Sequence, residues 1–218
     1  MKKLILLSTL VLTLSACGGS SSEKVTPPTV TPPVVTPPPT NNADYIGFES
    51  APVRPIAQTD DGNVLMVTNT SNNSLEIYSI NSSGTLLHQQ SLPVGLEPVS
   101  VAVNDNKAWV VNHLSDSISI VDLSGDQAFI SRTLLVGDEP RDIVFAKGKA
   151  FITTAHRGQQ RESAQLSSVE GAGDPQLHTS GTARADIWVF TANDLGETLG
   201  GTPSKIISLF GEVDNLLP

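Results

Sequence analysis

The residues of this 218-residue chain with the most chemistry to offer are its histidines and arginines. His113, His156 and His178 sit in polar stretches, where an imidazole nitrogen could ligate a metal. Arg54, Arg141, Arg157, Arg161 and Arg184 could each hold a carboxylate or phosphate through paired N–H donors. None of these spacings forms a recognised ligand motif, and His88, in the stretch Leu86 to Leu92 that reads as a fourth strand towards the rim, has still less claim. The sequence has no serine in a glycine-flanked nucleophile turn, no paired cysteines and no haem-attachment cysteines. Gly171-x-Gly173 is too short for a phosphate loop. Asp60-Asp61-Gly62-Asn63 has the composition of a calcium loop without its twelfth-position glutamate, so it reads as a hairpin turn. The expectation is therefore no catalytic residue, no resident metal and no cofactor. The single thiol, Cys17, has no partner for an internal disulfide, which leaves acyl attachment as its chemistry.

The elements around Cys17 fit that use. Lys2 and Lys3 precede an apolar run from Leu4 to Leu14, which is too short to span a bilayer and ends in small residues, as an export signal does. Leu14-Ser15-Ala16-Cys17 resembles the lipobox of bacterial lipoproteins, and that resemblance implies cleavage after residue 16 and a lipid on Cys17. Gly18, rather than aspartate, follows the cysteine, which in that family points to the outer membrane, on its periplasmic or surface face. Residues 17–44 then form a linker of Ser, Thr, Pro and Val, with Thr26-Pro27-Pro28, Thr31-Pro32-Pro33 and Thr36-Pro37-Pro38 repeating every five residues. Such a segment cannot bury a core and favours extended polyproline II, roughly 40 Å across residues 26–39. The formal charge is −9, and about −11 once Lys2 and Lys3 leave with the signal. So acidic a chain, without a basic stripe, excludes nucleic acid as a natural partner.

Residues 45–218 carry an internal repeat. Leu92-Pro93-Val94-Gly95-Leu96-Glu97-Pro98 returns as Leu134-Leu135-Val136-Gly137-Asp138-Glu139-Pro140, and a headless copy precedes both at Arg54-Pro55-Ile56-Ala57. The prolines at 55, 98 and 140 set a period of 42 or 43 residues. Within each unit, short alternating apolar runs separated by Asp, Asn and Gly turns predict four antiparallel strands of about five residues. Four strands in about 43 residues is the arithmetic of a propeller blade. The expected fold is thus all-β, a partial β-propeller of about three four-stranded antiparallel blades near residues 53–92, 97–135 and 139–209, with the start of a further blade at 210–218.

The units resemble YVTN-type β-propeller repeats, with Val67-Thr68-Asn69 and Val110-Val111-Asn112 at the signature and Gly95-x-x-Pro98 and Gly137-x-x-Pro140 between blades. Thr154 departs from the pattern where the third signature asparagine is expected. The glycine is expected to supply a positive φ at the handover between blades, the proline to fix φ where an inner strand begins, and Asn69 and Asn112 to bond local backbone. Trp109 and Trp188 read as packing between blades rather than a ligand cage. That family is normally seven-bladed, and three blades cannot close a ring. The reading favoured here is a fragment of a longer product; completion by several chains and an open stack are the alternatives.

A meander puts the connections after the second and fourth strands on one face, which gathers Arg54, His113, Arg141 and the excursion carrying His156, Arg157, Arg161, His178 and Arg184. That excursion adds about 27 residues to the turn and reads as a surface loop. The expected function is a lipid-anchored envelope module that binds or scaffolds a protein, peptide or glycan. The alternative is a fragment of a propeller enzyme, lactonase-like or a metal- or haem-linked oxidoreductase, as some relatives of that family are. If Cys17 carries the anchor, Cys17→Ser should move the protein from the membrane to the soluble fraction; unchanged fractionation would remove the anchor.

Overall fold

The computed structural model describes residues 51–173 and 185–209, all within the compact unit Tyr45–Pro218. Residues 1–50, which include the expected leader, Cys17 and the expected linker, lie outside the described residues, as do His178, Arg184 and residues 210–218. Among the described residues no helix is long and apolar enough to cross a membrane.

Among the described residues, twelve strands form three four-stranded antiparallel sheets, each a local meander in chain order. The first holds β1 (Ile56–Gln58), β2 (Val64–Asn69), β3 (Ser74–Ile80) and β4 (Leu86–Pro93). The second holds β5 (Pro98–Asn104), β6 (Lys107–Asn112), β7 (Ser117–Asp122) and β8 (Phe129–Leu135). The third holds β9 (Pro140–Ala146), β10 (Lys149–Thr154), β11 (Asp186–Thr191) and β12 (Lys205–Ser208). These are the blades of a partial β-propeller, as the repeat predicts. The hairpins are local because their turn chemistry is. Lys147 and Gly148 both have positive φ (50° and 73°), as a two-residue type I′ hairpin requires. In the Asp60–Asn63 turn, Asp61 Oδ1 accepts from Thr59 Oγ1 (2.6 Å) and from the Asn63 N–H (3.0 Å), so it is a hairpin turn held by its own aspartate.

Side-chain alternation explains how the blades stack. In β6, Ala108 and Val110 pack with Met66, Leu75 and Ile77 of the first blade. Trp109 and Val111 face the other way and pack with Ile143, Ile152, Trp188 and Phe190 of the third. Because the middle sheet is covered on both faces, its second strand reads as a nearly unbroken apolar run rather than an alternating one. Trp109 meets Phe145 edge-on at 5.3 Å between ring centroids. Trp109 and Trp188 are both core residues, 1% and 0% exposed.

The phrase between blades forms a repeated joint. Asn73, in the left-handed region (φ 53°), accepts the Glu97 N–H on its side-chain oxygen at 2.9 Å, and its own carbonyl accepts the Val94 N–H at 2.9 Å. One period later Asp116 (φ 48°) accepts the Glu139 N–H at 2.8 Å and the Val136 N–H at 3.1 Å. Returning bonds run from the His113 N–H to the Glu97 carbonyl (2.9 Å) and from the Ala155 N–H to the Glu139 carbonyl (3.1 Å). Two expectations change here. The positive φ belongs to Glu97 (49°) and Glu139 (52°), not to the glycines. Glycine is needed for close approach instead: a Cβ on Gly137 would stand 2.8 Å from the Arg157 carbonyl oxygen and 2.9 Å from that of His156, and one on Gly95 would stand 2.6 Å from Asn112 Nδ2. The signature asparagines also bond side chains rather than backbone. Asn112 donates to Ser117 Oγ (3.2 Å) and Ser119 Oγ (3.0 Å), and Asn69 to Glu76 Oε1 (3.2 Å).

A Cβ at Gly137 therefore forces backbone to move. Gly137→Ala should lower unfolding stability by about 1–3 kcal/mol in urea titrations. Gly125→Ala, where the nearest atom would be 3.6 Å away, should stay within about 0.5 kcal/mol; equal effects would contradict the close-approach role.

Candidate functional site

The inner strands β1, β5 and β9 lie side by side, and the segment before β1 runs parallel to β5 through a bridge from Arg54 to Ser100. This brings one polar group from each blade to a single point. Asp142 Oδ1 accepts from Arg54 Nη2 (2.6 Å), Arg54 Nε (3.1 Å) and Ser100 Oγ (2.7 Å), and Arg54 also donates to the Ile143 carbonyl. Burial would raise the Asp142 pKa, but the Ser100 and Arg54 hydrogen bonds outweigh it and hold the carboxyl below its ordinary value. Beside this cluster is a cavity of about 400 Å³ lined by Arg54, Ile56, Val101, Val103, Val144 and Phe145.

On the same face the second joint presents charge. Glu139 Oε2 is 3.6 Å from Arg141 Nη2 and 3.8 Å from His156 Nε2. The side chains of Arg54, Arg141 and His156 are 40%, 38% and 43% exposed, enough to meet a ligand. Asp138 lies next to them, its pKa raised by burial and by the charges of Asp116 and Glu139, with His156 opposing.

Other candidates are placed differently. His113 is 1% exposed, inside the blade boundary, and does not reach the open face. Arg157 and Arg161 are 2% and 4% exposed. Their guanidiniums serve Asp186: Arg161 Nη1 donates to its two oxygens at 2.8 and 2.7 Å, and Arg157 Nε lies 3.7 Å from Oδ1. Arg161 also donates to the carbonyls of Gly173 (3.0 Å) and Gly171 and to Ser208 Oγ (3.0 Å). The described part of the excursion is thus folded rather than an open loop. It includes 3₁₀ turns at Gln159–Glu162 and Ala164–Leu166 with Leu166 buried, and it covers the edge of β12 through the Ile206 N–H to Glu170 carbonyl bond (2.8 Å).

Sequence reasoning missed Asp186, which pairs across the sheet with Thr154 just as Ser117 pairs with Asn112. The third blade has replaced a neutral Asn–Ser cluster by a carboxylate, and the excursion supplies its counter-charges. It also missed the cluster on β3 and β4. Glu76 accepts from Ser74 Oγ (2.7 Å), Asn69 Nδ2 (3.2 Å) and Ser91 Oγ, and contacts His88 Nε2 at 3.0 Å. Ser, His and Glu meet here, but Ser91 and Glu76 both face the same Nε2 (3.3 and 3.0 Å), so the ring cannot relay a proton between them. Among the described residues no group of three or more His, Cys, Asp or Glu is placed to hold a metal.

No protein-family model and no curated protein matches the chain. Among solved structures it is similar to a functionally unknown protein from Desulfotomaculum acetoxidans, at 18% identity over 69% of this chain and 39% of that one, TM-score 0.48. It is also similar to hydrazine synthase from Kuenenia stuttgartiensis, at 18% identity over 77% and 40%, TM-score 0.46. A 6-phosphogluconolactonase-like protein from Bacteroides uniformis is 14% identical over 74% and 59%, TM-score 0.41. The chain spans about two fifths of the first two. At these scores the propeller assignment rests on the three sheets themselves.

The Glu76 cluster makes a pH prediction. Burial opposes ionisation, but the hydrogen bonds from Ser91, Ser74, His88 and Asn69 bring its pKa from 4.5 down to about 2. A carboxylate depressed on folding adds stability above its unfolded pKa and loses it as pH falls through the folded value. The stability gap between wild type and Glu76→Gln should therefore be constant above about pH 5 and shrink towards about pH 2. A gap independent of pH would contradict the cluster.

Proposed function

We propose that this chain is a cell-envelope lipoprotein whose YVTN-like blades act as a non-enzymatic binding or scaffold module. It is tethered to the outer membrane through acylated Cys17, with a protein, peptide or glycan as ligand. The observation that carries this reading is the hub-side face, where Arg54 and Asp142 and then Glu139, Arg141 and His156 present both signs of charge on partly exposed side chains. Those groups stand on strand ends and joints fixed by main-chain hydrogen bonds, so little ordering is required when a ligand binds. Mixed donors and acceptors over a rigid scaffold suit polar recognition.

The test uses the full lipid-anchored chain in detergent micelles, titrated calorimetrically with peptidoglycan fragments and envelope-derived peptides. The reading predicts saturable binding to one of these classes that weakens roughly tenfold, about 1.4 kcal/mol, in Arg141→Glu with its unfolding midpoint unchanged. Binding indifferent to Arg141→Glu would contradict it. So would lactone hydrolysis that scales with protein concentration, which would favour the propeller-enzyme alternative.

A further inference from the structure

The outer rim of the second blade carries a groove that the hub-side face and the repeat leave unexplained. β8 is the outermost strand of its sheet, paired on one side with β7. The connection after β11 swings back beside its other edge: the Leu135 N–H donates to the Gly200 carbonyl (2.8 Å), and Arg132 Nη2 donates to the carbonyls of Gly196 (2.7 Å) and Thr198 (2.6 Å). These bonds fix a second wall at a set distance from the strand. Between the walls is a cavity of about 550 Å³ lined by Ser131, Thr133, Leu135, Glu197 and Leu199 among others.

Three features of this groove match one kind of occupant. First, the Leu135 N–H points away from β7, so by strand alternation Thr133, two residues earlier, turns its N–H and C=O the same way. Thr133 makes no main-chain bond on that side with any described residue, which leaves a donor and an acceptor at strand spacing. Second, the lip is apolar: Leu199 is 92% exposed and Leu135 40%. A leucine that open on a structured connection is not serving the core. Third, Glu197 lines the groove and forms no ion pair among the described residues, whereas Arg132 is already committed to carbonyls.

We propose that this groove docks an extended peptide segment of a partner protein. The segment adds as a strand along the outer edge of β8, bonding Thr133 through its main chain. It lays an aliphatic side chain against Leu135 and Leu199 and sets a lysine or arginine against Glu197. Because the Leu135 N–H is taken by Gly200, the open edge runs from Ser131 to Thr133, about 7 Å at 3.3 Å per residue, room for two or three residues of the segment to pair main chain to main chain. The proposal goes beyond the hub-side reading and uses none of its residues, so either can fail alone.

The test uses the full chain and a fluorescein-labelled hexapeptide of sequence Thr-Val-Lys-Val-Thr-Val, followed by anisotropy. Controls are the same peptide with alternate amides N-methylated and one with Glu for Lys. Saturable binding is expected, lost on N-methylation and weakened roughly tenfold by Leu199→Asp, a change at so exposed a position that folding, checked by circular dichroism, is unaffected. Glu197→Lys should weaken the lysine peptide and strengthen the glutamate peptide. No saturable change up to about 1 mM peptide, or binding indifferent to both N-methylation and Leu199→Asp, would overturn the proposal.

Discussion

The described structure depends on the joint at which the left-handed residue of a β2–β3 or β6–β7 turn receives the N–H groups one and four residues before the next inner strand. Asn73 and Asp116 each use a side-chain oxygen and a main-chain carbonyl there. Both hold the strained left-handed conformation of the following Glu97 or Glu139 in place. Burying a main-chain N–H without a partner costs about 1–3 kcal/mol, so the joint fixes a direction as well as a contact. At both joints the same three hydrogen bonds lead the chain from the fourth strand of one blade to the first strand of the next. Stacking of the apolar faces follows from that direction.

The joint is reinforced at two other radii. Near the hub, Asp142 gathers Arg54 and Ser100 from the other two blades. At the rim, the same strand position reaches forward twice: Gln90 exchanges two hydrogen bonds with the main chain of Ala128 (2.9 and 3.0 Å), and Arg132 holds the carbonyls of Gly196 and Thr198. A short glutamine suffices where the neighbouring turn is close, and a longer arginine spans to the larger connection of the third blade. Polar side chains at repeating positions thus clamp an apolar stack whose strength is spread along the blade boundary.

Strands and blades were legible in the sequence because their signals are local. The 42- to 43-residue period, the alternation in Val99, Val101 and Val103, and the Asp–Asn–Gly turns each depend on neighbours a few residues away. What stayed hidden depends on distance in sequence. Gly137 reads as a turn glycine, yet its reason is the approach of the His156 and Arg157 carbonyls some twenty residues on. Arg157 and Arg161 look like solvated loop cations until Asp186 is placed opposite Thr154 by the β10–β11 register. One signal was available: a missing signature asparagine at Thr154 marks a polar site rebuilt from other residues. The exposed part of the candidate face, Arg54, Arg141 and His156, was readable because a meander fixes which connections share a side; Glu139 and Asp142 were not, since their roles come from neighbouring side chains.

The most direct test of this account is amide hydrogen exchange read by NMR at the two joints. The Glu97 and Glu139 N–H groups should be protected like those of central strands, and Asp116→Ala should speed exchange at Glu139 at least roughly tenfold while leaving Glu97 unchanged. Fast exchange at both positions in the wild-type chain, or no response of Glu139 to the loss of Asp116, would contradict the joint as the element that sets blade upon blade.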